Sequence, residues 1–214
     1  MIKLQDPMRL EPFYPILDTE TAARRGIHPV AAAGQILEGG ARILQFRHKG
    51  FFSRDIFDQA RQIAALCRSV DAMFVMNDRA DIARLLDAGL HLGQDDLSPI
   101  DARRVLDAGI IGFSTHNEAQ LRAAADQPAD YLAFGPIFGT ASKLNPDPVV
   151  GLEELRRLRP LTARPLVAIG GITRANARSV VEAGADSVAV IGDLFPEDGN
   201  IRGRVEEWIS LILL

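Results

Sequence analysis

The stretch from Pro165 to Gly192 reads PLVAIGGITRANARSVVEAGADSVAVIG, and its pattern decides the fold. Two apolar runs, Pro165-Leu166-Val167-Ala168-Ile169-Gly170 and Ser187-Val188-Ala189-Val190-Ile191-Gly192, bracket a segment of helical period. Continuous runs of this length read as strands buried on both faces, the habit of parallel sheets. Between them Asn176, Val180, Val181 and Ala183 follow a helical spacing and lead to Gly184, a helix C-cap residue. The unit is strand, helix, strand.

Working outward, the same unit recurs. Upstream apolar runs lie at Tyr14–Asp18, Arg42–Arg47, Met73–Asp78, Leu90–Gly93, Ile110–Ser114 and Tyr131–Gly135. An Ala-Gly pair precedes a strand at Ala88-Gly89, Ala108-Gly109 and Ala183-Gly184, with Gly39-Gly40 similar, so each ends a helix and turns the chain back. Ile56, Ala60, Ile63, Ala64 and Cys67 share one helical face, with Ser53 ahead as N-cap. Ile201 to Leu214 reads as a closing amphipathic helix carrying Trp208. Eight strands, each followed by a helix or a helix-sized gap, predict an α/β chain folded as a single (β/α)8 TIM barrel over residues 1–214. The rival is an open doubly wound sheet; the absence of any edge-type strand favours closure.

Composition narrows the function classes. The 214 residues are 47% hydrophobic and 24% charged, as in an ordinary globular chain. One cysteine, Cys67, excludes an internal disulfide framework and a Cys-based zinc site. No apolar run approaches a membrane span and the first residues lack a signal-like apolar core, so the expected location is the cytoplasm, with no membrane partner. A net charge of −4 argues against a nucleic-acid partner, though a local cavity on an acidic chain can still bind an anion. Lys3, Lys49 and Lys143 are the only lysines, which draws attention to the two internal ones.

In such a barrel the chemistry gathers where strands end. The second run ends Gln45-Phe46-Arg47-His48-Lys49-Gly50, and Gln45, Arg47 and Lys49 share one parity. Two cations and an amide pointing one way suit a phosphate-bearing ligand; the alternative is a solvated strand end. The third run ends Asn77-Asp78 and the fourth leads to Gly93-Gln94-Asp95-Asp96. Carboxylates on neighbouring strands suit Mg²⁺, which takes one or two carboxylates plus water and phosphate oxygens. Asp78 with Asp96 fits that pattern; alternatively Asp78 caps the next helix and Asp95 or Asp96 is a loop acid. The fifth run ends Ser114-Thr115-His116-Asn117, where Ser114 is a donor to phosphate, Thr115 or Asn117 a helix cap, and His116 reads as structural. The sixth leads into Gly135-Pro136-Ile137-Phe138-Gly139-Thr140-Ala141-Ser142-Lys143, a donor-rich cradle or lid. Glycines after the seventh and eighth runs, Gly170-Gly171 and Gly192, mark the usual phosphate end of these barrels.

These motifs, six of them in order between Gln45 and Ile172, closely resemble the thiamine-phosphate synthase family, also called thiamine monophosphate pyrophosphorylases, and the likeness runs from Tyr14 to Ile191. The resemblance implies coupling of hydroxymethylpyrimidine diphosphate to hydroxyethylthiazole phosphate, with release of diphosphate and use of Mg²⁺. It implies that Gln45, Arg47, Lys49, Asn77, Ser114 and Lys143 attend the pyrimidine diphosphate. Asp78 and Asp96 would hold the metal. Thr140, Ala141 and Ser142 would meet the thiazole phosphate, with Gly171, Ile191 and Gly192 closing that site. Arg47, Ser114 and Lys143 would act in the chemical step, a dissociation to a pyrimidine carbocation.

The sequence departs from the family pattern in three places, one being the loop Leu144-Asn145-Pro146-Asp147-Pro148, after which Gly151-Leu152-Glu153 resumes the pattern. The stretch from Asp78 to Asp96 is one residue shorter than the usual spacing, which keeps Asp95 as an alternative ligand. Gly192 stands where a serine is common. Two rivals remain at this point: a related thiazole tautomerase, which would rely on His116, and a non-catalytic barrel that binds a phosphorylated ligand.

Overall fold

In a strand buried on both sides, alternate residues must serve two different cores. The computed structural model describes residues 10–140 and 147–212 and resolves this alternation strand by strand. The strands are β1 (Phe13–Asp18), β2 (Ile43–Arg47), β3 (Met73–Asn77), β4 (Gly89–Leu92), β5 (Ile111–Thr115), β6 (Tyr131–Phe134), β7 (Leu166–Ile169) and β8 (Ser187–Val190). All pair in parallel with their sequence neighbours, and β1 pairs with β8, so the sheet closes into a barrel. The closed barrel, and not the open sheet, is the observed solution.

Outward-facing Leu44, Phe46, Leu90, Leu92, Leu132 and Phe134 join the helices in the larger core. Tyr14, Ile16, Ile43, Val75, Tyr131, Ala133, Val167 and Ala189 form a separate inner core.

Helices α1 (Thr19–Arg24), α2 (Pro29–Glu38), α3 (Arg54–Ser69), α4 (Ala80–Leu86), α5 (Pro99–Val105), α6 (Glu118–Ala123), α7 (Gly151–Leu158), α8 (Ala177–Glu182) and α9 (Ile201–Ile212) alternate with the strands. Helix α3 starts as expected: Ser53 Oγ accepts from Ile56 N–H, and Ala60, Ile63, Ala64 and Cys67 are buried. Asn117, one of the two expected caps, accepts from Gln120 N–H at the start of α6. The Ala-Gly expectation needs one correction. Gly109 and Gly184 do take positive φ, but Gly89 is the first residue of β4, and the left-handed residue ending α4 is Asp87, φ 52°. A short acidic side chain tolerates that conformation, so it escapes a search for glycine. Trp208 on α9 is fully buried and stacks on Phe13 at 5.4 Å, which ties the last helix to the first strand. No described helix is long and apolar enough to cross a membrane.

Candidate active site

The strand ends open onto a cavity of about 770 Å³. Gln45, Arg47 and Lys49 all line it, so their common parity carries past the end of β2. His48, of opposite parity, turns away to Thr19 Oγ1 (2.8 Å). From the next strands come Asn77, Asp78, Asp95, Asp96 and Ser114. Across the mouth, from the other side of the closed strand order, come Thr140, Gly170, Gly171, Ile191 and Gly192. Every expected site residue that lies among the described residues is thus in one cavity. Ala141, Ser142 and Lys143 lie outside the described residues.

The two acids are not equivalent. Asp78 sits in the left-handed region at φ 63°, directly after β3. It caps no helix, because the N-cap of α4 is Arg79. Its Oδ2 accepts from Lys49 Nζ at 2.5 Å. Burial and the adjacent Asp96 carboxylate push the Asp78 carboxyl up to about 6, against the pull of Lys49. Asp96 turns back into the mouth, where its Oδ2 accepts from Gly93 N–H at 2.7 Å. Asp95 is exposed. Two facing carboxylates, with no third acid, His or Cys grouped with them among the described residues, match the oxygen-poor protein set that Mg²⁺ accepts when phosphate and water complete its shell.

Asn77 adds an unsatisfied group. It is buried, yet its Nδ2 has no hydrogen-bond partner among the described residues and it lines the cavity. A buried donor left unmade costs about 1–3 kcal/mol, so such a donor at a cavity wall is suited to a ligand acceptor.

The glycines opposite permit close backbone approach. Gly171 has φ 63°, and a Cβ there would lie 2.4 Å from the Gly139 carbonyl and 2.7 Å from Phe138 Cβ. The loops after β6 and β7 therefore touch backbone to backbone, and the Asn176 side chain pins the second by donating to Gly171 O at 3.0 Å.

Several residues at the cavity or packed behind its wall escaped the sequence reading. Asp18, at the end of β1, is buried and pairs with Arg47 NH1; it also accepts from Thr21 N–H and Thr21 Oγ1 at 2.8 and 2.7 Å. Arg25, after α1, adds a third cation to the lining. His91 lies deeper, buried, with Nδ1 3.0 Å from Tyr131 Oη and Nε2 2.8 Å from Ser114 Oγ. Burial pushes the imidazole down to about 4, so it is neutral at pH 7. Tyr131 Oη is 2.7 Å from Tyr14 Oη, which receives Gln45 Nε2 at 3.1 Å. Burial holds both phenols protonated, Tyr14 being pushed up to about 12. His116 lines the cavity mouth, with Nδ1 2.6 Å from Gly135 O and Nε2 3.5 Å from Asp147. It therefore lines the site, which corrects the reading of His116 as structural and agrees with the weight that the tautomerase alternative gives it.

Residues 13–194 match the family model described as thiamine monophosphate synthase. The chain is 49% identical over 182 residues to a thiamine-phosphate synthase of Koribacter versatilis, covering 84% of each protein. A thiamine-phosphate synthase of Chloroflexus aurantiacus is 38% identical over 181 residues, again with 84% of each covered. Among solved structures, a thiamine phosphate pyrophosphorylase from Pyrococcus furiosus superposes with a TM-score of 0.83 at 33% identity, covering 94% of this chain and 95% of that one.

Proposed function

The chain belongs to the thiamine monophosphate synthase family and is an enzyme of the transferase class, and from that premise we propose how its own residues carry the reaction. The substrates are hydroxymethylpyrimidine diphosphate and hydroxyethylthiazole phosphate. The C–O bond between the pyrimidine methylene and the diphosphate breaks, its electron pair leaving with the diphosphate. The thiazole nitrogen lone pair then forms the C–N bond to that methylene carbon.

The observation that carries this reading is the division of one cavity into two ends. One end has Gln45, Arg47, Lys49, the unsatisfied Asn77 donor and the Asp78–Asp96 pair. The other is the glycine wall of Gly171 and Gly192. Such a layout suits two anionic ligands meeting between the ends.

Asp78 and Asp96 would hold Mg²⁺, whose chemistry is to neutralise charge on the leaving diphosphate. Arg47 and Lys49 bind diphosphate oxygens, and Arg47 reaches them from a position held by Asp18. Lys143, outside the described residues, would by the family resemblance steady the departing group. Gln45 and Asn77 orient the pyrimidine half. Ser114 donates toward the same substrate. Thr140, Ala141, Ser142 and the backbone at Gly171, Ile191 and Gly192 receive the thiazole phosphate. No nucleophilic side chain is needed: preorganised donors around the leaving charge and exclusion of water from the cation suffice.

The test is turnover with both substrates and Mg²⁺ in wild type, Lys143→Ala and His116→Ala. Loss of one preorganised donor costs about 10²–10³ in rate, so Lys143→Ala depresses kcat strongly while His116→Ala is milder. His116, with Asp147 beside it, favours one alternative, a thiazole tautomerase. That activity predicts the reverse ranking and no product from the pyrimidine diphosphate, a result that would sink the synthase reading.

A further inference from the structure

Below the cavity floor a chain of side chains crosses the barrel interior: Gln45, Tyr14, Tyr131, His91 and Ser114, from β2, β1, β6, β4 and β5. Each link is a hydrogen bond of 2.7 to 3.1 Å. Both ends reach the cavity, and the three middle residues are buried. The reaction as written does not use those three.

The packing is built for this chain. His91, Gly112 and Tyr131 are register partners on three adjacent strands. A Cβ on Gly112 would lie 2.0 Å from Tyr131 Cζ, so only glycine leaves room for that ring. The ring crosses the vacant position and stacks on His91 at 5.6 Å. Burying two phenols, an imidazole and an amide inside a barrel is costly unless every donor finds an acceptor.

We infer that this chain is a one-directional relay of hydrogen bonds in which Tyr14, Tyr131 and His91 are positioning residues that set Ser114 as a donor into the cavity. The Gln45 amide donates to Tyr14 Oη. The Tyr14 proton is then given to Tyr131 Oη, and the Tyr131 proton to His91 Nδ1. The neutral imidazole carries its single proton on Nε2 and gives it to Ser114 Oγ. Ser114 has therefore accepted a bond, and its own proton points at the ligand. Were the chain reversed, Ser114 would spend its proton on His91 and offer lone pairs to an anion. The direction rests on the reading that Ser114 faces a phosphorylated substrate. The same bonds lock the Gln45 amide, leaving its carbonyl for a donor on the bound ring.

The tautomer can be read without substrate or turnover. In ¹⁵N-imidazole NMR of the resting enzyme at neutral pH, His91 is assigned by its loss in His91→Gln. The relay predicts an unprotonated Nδ1 and a protonated Nε2. The opposite tautomer would overturn the proposal even if the enzyme is a synthase, and the predicted tautomer stands even if it is not. Tyr131→Phe keeps the ring and removes one link. It should weaken the tautomer preference and lower kcat about tenfold, part of the ~10²–10³ that a direct donor contributes, with KM for the thiazole phosphate unchanged. In a Ser114→Ala background the same change should have no further effect on kcat, because the relay acts through that hydroxyl. Additive losses, or an unchanged kcat in Tyr131→Phe alone, would refute the relay.

Discussion

Asp18 offers the sharpest test of how the cavity is held in shape. Its carboxylate does two jobs at once: it caps α1 through Thr21 N–H, and it neutralises Arg47. Asp18→Asn keeps an oxygen for the cap and removes only the charge. Breaking a fully buried ion pair costs about 3–5 kcal/mol, because a buried charge is left without its partner. The Asp18 side chain is 2% exposed but that of Arg47 is 13% exposed, at the cavity wall, where water can partly solvate it. The discounted expectation is a loss of about 2 kcal/mol. Asp18→Ala also loses the cap and the bond from Thr21 Oγ1, so it should lose about 1–2 kcal/mol more. The measurement is urea unfolding of wild type and both variants, with the KM for the pyrimidine diphosphate alongside. The freed Arg47 should raise that KM in both variants alike. If Asp18→Asn unfolds within about 0.5 kcal/mol of wild type, the scale of a neutral surface change, the ion-pair argument fails.

Three further outcomes are expected. On the proposed assignment, Mg²⁺ would compete with the proton on Asp78, whose carboxyl is pushed up to about 6. Affinity for Mg²⁺, measured calorimetrically, should therefore be level above neutrality and fall with acidification, by about tenfold at one pH unit below that pKa; a flat profile contradicts the assignment. Asp96→Asn should lower Mg²⁺ affinity more than Asp95→Asn, because Asp96 lies beside Asp78 and Asp95 is exposed; the reverse order would show that the shortened segment has shifted the ligand. A Cβ at Gly192 meets nothing within 4 Å and its φ is not in the left-handed region, so Gly192→Ser should fold normally and lower the KM for the thiazole phosphate by supplying a hydroxyl; a raised KM would remove Gly192 from that site.

The barrel was legible because every strand carries its own signal, a short apolar run, and a helical period or helix-sized gap separates each run from the next. The gathering of Gln45, Arg47, Lys49 and Asp78 at one cavity was legible too, since the first three announce themselves by parity and Asp78 by its place at a strand end. Asp18 ends β1, but a lone acid at a strand end carries no local sign of the Arg47 it will pair with, since that partner comes from the neighbouring strand. His91, Tyr131 and Tyr14 were hidden for a different reason. Their contact depends on which residues of β1, β4 and β6 share one level inside the barrel, and on Gly112 yielding space on β5. That register is set by closure of the whole sheet, and no local period encodes it.

On the proposed function, the charges at the mouth also account for how an acidic chain would manage two anionic substrates. In the resting arrangement Arg47 is matched by Asp18 and Lys49 by Asp78. The cations are thus held in place by carboxylates and do not present a bare positive surface. A diphosphate arriving alone would have to compete with Asp78 for Lys49 and would meet repulsion from Asp78 and Asp96. A divalent cation on those two acids removes both obstacles, releasing Lys49 to turn toward phosphate. Binding of Mg²⁺ and of diphosphate should therefore be cooperative, and by linkage each must strengthen the other by the same factor. Inorganic diphosphate titrated with and without Mg²⁺, against Mg²⁺ titrated with and without diphosphate, closes that cycle. Lys49→Met should reduce the coupling, since without the lysine there is no cation for the acid to release. Coupling of undiminished size in that variant would mean that the Lys49–Asp78 pair takes no part in assembling the site.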